Sequence, residues 1–338
     1  MSEIWGWDIG GAHLKLARLG DHAILDVRQL PCPLWQGVDR LTAAFEQAAA
    51  GHMATLHAVT MTGELADIFP DRTTGVRTIL AALRGALRGD IAVYGASGAF
   101  LGIDEAAAAP QRVDSANWHA AARLVAARSE DSLFIDIGST TTDLVPLRAG
   151  RAVARGISDT ERLALDELVY AGVVRTPVMA VARHIYIGGE RIGVMAEHFA
   201  TMADVYRLTG ELPPDADQMP AADGRGKSPA ESRARLARIV GRDAADAADA
   251  VWDDLARQFA ARQLRRLERA AERVLSASAL PPSAPVIGAG VGRFAAKALA
   301  QRLQRPYRSF ADLVPAPDCA ERAADCAPAV AVALLMRS

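Results

Sequence analysis

The chain has 338 residues, 51% of them hydrophobic and 5% aromatic, with a formal net charge of −2. Such a composition belongs to a soluble globular protein long enough for two cores, and it excludes the broad basic face that nucleic-acid binding needs. No apolar run reaches the roughly 18 to 20 residues that cross a bilayer, the closing APAVAVALLM included, so a membrane is not an expected partner.

Residues 4–9 and 14–19 alternate apolar and small or polar side chains around Gly10 and Gly11, which predicts a tight β-hairpin. HAILDVRQL (22–30) is a third strand. LWQGVDRLTAAFEQAAA (34–50) carries helical spacing at Leu34, Val38, Leu41 and Phe45. A strand running into a polar turn (55–69), a helix (75–87) and a strand ending in glycine (90–98) complete an α/β layer, followed by a helix at 117–127 with Ser115 as its cap.

The plan then restarts about 130 residues on. DSLFIDIGSTTTDLVPLRAGRAVARG (131–156) is again a strand, a glycine turn after an aspartate, and a second strand. Two related domains facing one another are expected, the first over 1–128 plus the closing helix 327–338, the second over 129–326. Residues 157–280 read as a mostly helical insertion. Within it, ERLALDELVYAGVV (161–174) suits core packing or a second subunit equally, and the Pro-, Gly- and Asp-rich stretch 209–231 reads as a long exposed loop, either a lid or disordered. A long helix follows at 252–277, then a strand, glycine turn and helix at 284–303.

Three glycine turns therefore stand in line: DIGGAHLK (8–15), DIGSTTTD (136–143) and GAGVG (288–292). Amides in such turns point into a concavity that takes phosphate oxygens, nearby aspartates hold Mg²⁺ through its waters, and Lys15 balances remaining negative charge. A dinucleotide fingerprint would need glycine where Arg293 stands, and AADGRGKS (221–228) lacks both the first glycine and the preceding strand of a P-loop. The seven histidines, His13, His22, His52, His57, His119, His184 and His198, lack H-E-x-x-H spacing. Cys32, Cys319 and Cys326 form no close pair, no secretory signal opens the chain, and a reducing cytoplasm is the expected compartment.

In kind and order the three turns resemble the phosphate-one, phosphate-two and adenosine motifs of the actin, sugar kinase and Hsp70 superfamily. That resemblance implies an α/β fold of two ribonuclease-H-like domains around a central cleft, with the helical insertion in the second. It also implies Asp8 with Asp136 or Asp143 at the metal. WDIGGAHLK, TMTGELADIF, DIGSTTTDL, YAGVVRTPV, EHFATMADVYRLTGEL and AADGRGKS together resemble the hydantoinase/oxoprolinase-related proteins of tetrahydromethanopterin-linked one-carbon metabolism.

The resemblance implies condensation of an aminomethylfuran-methyl diphosphate with the phenol of a glutamylated tyramine or tyrosine, with release of diphosphate, toward a methanofuran or methylofuran cofactor. On that reading Gly10, Gly11, Lys15, Gly138, Ser139, Thr140 and Thr141 grip the leaving group with Mg²⁺ at Asp8, Asp136 or Asp143. Glu64 is the candidate base and Asp143 the alternative, while Arg175, Arg225 and Lys227 are candidates for the glutamyl carboxylates. Gly288, Gly290 and Gly292 leave ATP binding open without requiring it. An ATP-dependent small-molecule kinase and an ATP-binding regulatory module are the alternatives of other classes.

Overall fold

The computed structural model describes residues 3–49 and 54–337; His52, the expected helix end at residue 50 and both extremes of the expected first domain lie outside them. The first lobe is built from β1 (Ile4–Ile9), β2 (His13–Leu19), β3 (Ile24–Pro31), α1 (Asp39–Ala49), β4 (Leu56–Met61), α2 (Arg72–Ala86), β5 (Asp90–Tyr94), β6 (Phe100–Gly102) and α3 (Ile103–Ala108). Its sheet runs β3-β2-β1-β4-β5-β6, with β1, β4 and β5 parallel and β2, β3 and β6 antiparallel to their neighbours. The next helix is α4 (Asn117–Ala126).

The second lobe repeats the arrangement. β7 (Ser132–Ile137), β8 (Thr142–Arg148), β9 (Arg151–Ala152), α5 (Asp159–Ala164) and β10 (Leu168–Val169) are followed by the small hairpin β11 (His184–Ile187) and β12 (Glu190–Gly193). Then come α6 (Met202–Thr209), α7 (Pro229–Arg238), α8 (Asp249–Ser278), β13 (Val286–Ala289), α9 (Arg293–Arg302), β14 (Tyr307–Ser309), α10 (Ala320–Asp325) and α11 (Ala327–Arg337). The sheet order β10-β8-β7-β13-β14 matches the first lobe strand for strand through its first five positions, with β7 and β13 parallel like β1 and β4.

Five layers result. On one face of β1, Trp5, Trp7 and Ile9 pack with Leu41 and Phe45 of α1 and Val76, Ile79 and Leu83 of α2. Its other face, with Ile4, meets α4 and α11, which in turn meet Phe134, Val145 and Ile287 of the second sheet. A strand covered on both faces needs apolar residues along most of its length, which is why IWGWDI is apolar except for Asp8 near its cleft end. The closing helix is apolar all round for the same reason, since it lies between two sheets. Gly6 permits this packing: a Cβ there would fall 2.1 Å from the Ala329 carbonyl oxygen. Helices α8 and α9 close the far side of the second sheet, with α6 against α8. Among the described residues no helix is long and apolar enough to cross a membrane.

Three expectations are corrected. Residues 165–174 are not helical: α5 ends at Ala164, Asp166 takes a φ of 58°, and β10 adds to the sheet edge. Ser115 does not cap α4, whose N-cap is Ala116; its φ is 45° and its side chain turns to Glu64. The stretch 209–231 is neither disordered nor free. Arg207 and Lys227 both pair with Asp217, Arg235 pairs with Asp223, Ala216 and Met219 are buried, and Gln218 Nε2 donates to the Gln29 carbonyl of the first lobe.

Candidate active site

The hairpin turns of the two lobes face one cleft of about 600 Å³, lined by Gly10, Gly11, Ala12 and His13 on one side and Gly138, Ser139, Thr140 and Thr141 on the other. Both turns close alike: Gly10 N–H donates to the His13 carbonyl (3.0 Å) and Gly138 N–H to the Thr141 carbonyl (2.9 Å). A following segment then braces each. Cys32 and Leu34 donate to the carbonyls of Ala12 and Gly11; Gly172 donates to Thr140, and Val174 and Arg175 to Ser139. With the carbonyls held from behind, the amides of Gly11, Ala12, Ser139, Thr140 and Thr141 find no backbone partner among the described residues. That is the geometry of an anion-binding nest.

The brace explains YAGVVRTPV physically. A Cβ on Gly172 would lie 2.4 Å from the backbone of Ser139 and Thr140, so only glycine allows the approach. Trp35, which follows the first brace, and Arg175, which ends the second, meet across the cleft, with the guanidinium 4.7 Å from the indole centroid. Arg175 also donates to Thr140 Oγ1, and burial holds its pKa below the ordinary value.

Charges at the turns differ between lobes. Asp8 stands opposite Lys15 in the β1–β2 ladder, and Lys15 Nζ lies 3.2 Å from Asp8 Oδ2. Burial works against the Lys15 charge, but Asp8, with Asp136 beyond it, more than offsets this and raises its pKa. Asn117, at the start of α4, reaches Asp8 Oδ1 at 3.5 Å. In the second lobe Asp136 stands opposite Asp143. Asp143 pairs with Arg162 at 2.8 Å, which opposes the upward push of burial on its pKa. Arg162 in turn stacks 4.0 Å over Trp118. Asp136 makes no ion pair among the described residues, and burial, with Lys15 opposing and Asp143 and Asp8 adding to it, pushes its pKa up to about 7.

Glu64 is buried just behind the wall and does not line the cleft. Its Oε1 accepts from the Ser115 amide (3.1 Å) and hydroxyl (2.9 Å); its Oε2 has no partner among the described residues, and burial pushes its pKa up to about 7. Ser115 Oγ also lies 3.2 Å from Asp159 Oδ2, which Arg72 holds at 2.6 Å. Ser115 and Asp159 line the cleft, so the buried carboxyl connects to it through one hydroxyl.

The remaining expected residues sit elsewhere. Gly288, Gly290 and Gly292 do not line the cleft: the Tyr307 ring covers Gly288, while the amides of Gly290 and Gly292 donate to Ala324 and Ile137. Arg225 is exposed and Lys227 is bound to Asp217; neither faces the cleft. The amides of Gly226 and Ser228 donate to Glu231, so this loop offers no anion site. No group of three His, Cys, Asp or Glu side chains among the described residues is arranged to hold an ion unaided. Sequence reasoning missed Trp35, Ser115 as a cleft residue, Trp118, Asp159, Arg162 and Tyr170.

Two α/β lobes with matching sheet orders and opposed hairpin turns around one cleft give the fold of the actin, sugar kinase and Hsp70 type. Nucleotide-free acetone carboxylase has the same fold, with a TM-score of 0.59 at 11% identity over 98% of this chain and 70% of that one. Residues 55–311 match the hydantoinase/oxoprolinase family, and the chain belongs to that family. It is 31% identical over 239 residues, 70% of this chain and 71% of the relative, to (4-{4-[2-(γ-L-glutamylamino)ethyl]phenoxymethyl}furan-2-yl)methanamine synthase of Methanocaldococcus jannaschii. The same synthase of Methanococcus vannielii is 33% identical over 110 residues, 32% of this chain and 48% of that one.

Proposed function

We propose that the chain is a transferase that joins an aminomethylfuran-methyl diphosphate to the phenol of a glutamylated tyramine or tyrosine, releasing diphosphate and forming an aryl ether. The observation that carries this reading is the cleft itself, where two opposed turns with unused amides, Lys15 and Arg175 surround one space. The third turn directs its amides into the protein, which favours a diphosphate over a nucleoside as the group these turns hold. The relationship to the synthase supplies the substrate class.

In the reaction, the bond from the furfuryl carbon to the diphosphate oxygen breaks with its electron pair on oxygen. The phenol oxygen bonds to that carbon and gives up its proton. Turn amides and Lys15 are preorganised for the charge that develops on the departing oxygen. Trp35, Trp118 and Tyr170 line the cleft and would supply aromatic surface to a furan and a phenol. A free phenol has a pKa of about 10 and needs a base. Glu64, acting through Ser115, is our acceptor for that proton, its pKa of about 7 being suited to the role.

Magnesium fits the donor set. It takes one or two carboxylates together with substrate phosphates and water, and Asp136, half-buried just outside the cleft lining, is a carboxylate without a paired cation among the described residues. Asp136 and Asp143, with Asp8 across the cleft, would hold the ion, which when bound neutralises diphosphate charge. Arg225 and Lys227 have no part in this proposal, and Arg175 is assigned to the diphosphate end.

The test is diphosphate release by the purified chain with Mg²⁺ and both substrates, with and without ATP, beside Asp8→Asn. Ether and diphosphate in equal amounts without ATP support the transferase. ATP consumption that requires an acceptor, without ether, sinks it in favour of a kinase.

A further inference from the structure

Two buried polar atoms, each belonging to a residue that lines the cleft, lack partners among the described residues: Nε2 of His13, from the first-lobe turn, and Oγ of Ser139, from the second. Buried polar groups are almost always hydrogen-bonded, because losing water without a replacement costs free energy. Here the two orphans lie on facing turns of the same cavity, and His13 is only 5% exposed. Nothing packed behind them supplies the missing bonds. A ligand would.

The surroundings decide what kind of ligand. Burial first, then the charges of Lys15 and Arg175, push the His13 pKa down to about 3. The imidazole is therefore neutral throughout the working pH range, with one nitrogen a donor and the other an acceptor. Beside two cations a ligand ammonium is repelled and an anionic oxygen is drawn in, which calls for the Nε2–H tautomer as donor. A neutral donor of this kind stabilises developing charge without adding a third full charge to a site already holding Lys15 and Arg175.

We propose that His13 is a catalytic residue whose Nε2–H hydrogen-bonds a diphosphate oxygen, with the Ser139 hydroxyl donating from the opposite turn. This inference rests on the diphosphate reading of the cleft. His13 keeps its proton throughout: the carbon–oxygen bond breaks, the electron pair goes to the leaving oxygen, and the imidazole N–H shortens its contact with that oxygen without transfer. Thr141, which fills the place of His13 in the second turn, also lines the cavity, while Ser139 stands at the position of Gly11.

The test titrates the full chain with inorganic diphosphate and Mg²⁺ by calorimetry for wild type, His13→Gln and His13→Phe. Glutamine retains an N–H donor near the Nε2 position; phenylalanine keeps the shape without it. His13→Phe should bind about tenfold more weakly, and His13→Gln within about threefold of wild type. In parallel, the imidazole ¹⁵N spectrum of wild type should show a neutral Nε2–H form whose signal moves when diphosphate is added. Equal affinity in the two variants, or an unmoved His13 signal while diphosphate binds, overturns the assignment and leaves the transferase standing. If His13→Phe does not fold, the spectrum decides. If wild type binds no diphosphate at all, the diphosphate site falls and His13's role falls with it.

Discussion

The turn at 8–15 and the turn at 136–143 have the same backbone and opposite electrostatic characters. Each closes with a glycine amide on the carbonyl three residues later, and each is braced by a segment that takes its carbonyls. Yet the ladder position opposite the aspartate holds Lys15 in the first lobe and Asp143 in the second. Backbone geometry makes both turns anion nests; one side chain decides whether the nest carries its own cation. The first lobe is built to meet an anion directly, whereas the second keeps a surplus of carboxylate, only partly answered by Arg162. On the proposed reading, the first-lobe side of the cleft would take the diphosphate and the second-lobe side its counterion.

The largest expected effect comes from removing that asymmetry. Lys15→Ala leaves Asp8 buried and without its cation, which should cost about 3–5 kcal/mol in denaturant melts and weaken diphosphate binding more than tenfold. If the loss matches that of an exposed pair, the first turn is not the anion side. Glu64 tests the wall between the lobes. Its pKa rises from 4.5 to about 7 on folding, so its contribution is intact below pH 4.5 and is lost as pH climbs through 7. Glu64→Gln, which can still accept from Ser115, should therefore gain on the order of 3 kcal/mol at pH 8 and nothing near pH 4, while ether formation drops. A gain that does not depend on pH removes the buried charge from the account.

Gly172→Ala attacks the second brace, where the new methyl meets backbone. It should cost about 1–3 kcal/mol and distort the Ser139–Thr140 turn, seen as weaker diphosphate binding with the Asp8–Lys15 lobe unaffected. Asp136→Asn should lower Mg²⁺ affinity by about tenfold in the presence of diphosphate, measured by calorimetry, with little effect on diphosphate alone. At the small end, Arg225→Ala should change stability by less than about 0.5 kcal/mol and leave KM for both substrates unaltered.

The repeat was legible because hairpins with an aspartate before glycine are local features; their recurrence pointed to two lobes around a cleft, and Asp8, Lys15, Ser139 and Thr140 all line the cleft in the structure. The brace was not legible as a brace. ERLALDELVYAGVV read as helical, and only its contact with the turn, distant in sequence, makes Gly172 indispensable. Ser115 fitted a helix cap by its position before Asn117; the positive φ that turns it toward Glu64 is fixed by tertiary packing. His13 was weighed only as a metal ligand, and its significance lies in having no partner, which no sequence pattern records. Arg225 and Lys227 drew notice as charges in a glycine-rich loop; Lys227 is taken by Asp217 within that loop, and the Arg225 side chain stands exposed.

The contact between Trp35 and Arg175 also gives the molecule an optical handle. Trp5, Trp7 and Trp252 are sealed in cores, so only Trp35 and Trp118 of the five tryptophans face the cleft, and each lies beneath a second-lobe arginine. Any swing of one lobe against the other changes how those guanidinium groups quench the indoles. Intrinsic fluorescence, with Trp118→Phe to isolate Trp35, would follow the opening and closing of the cleft in an unlabelled chain.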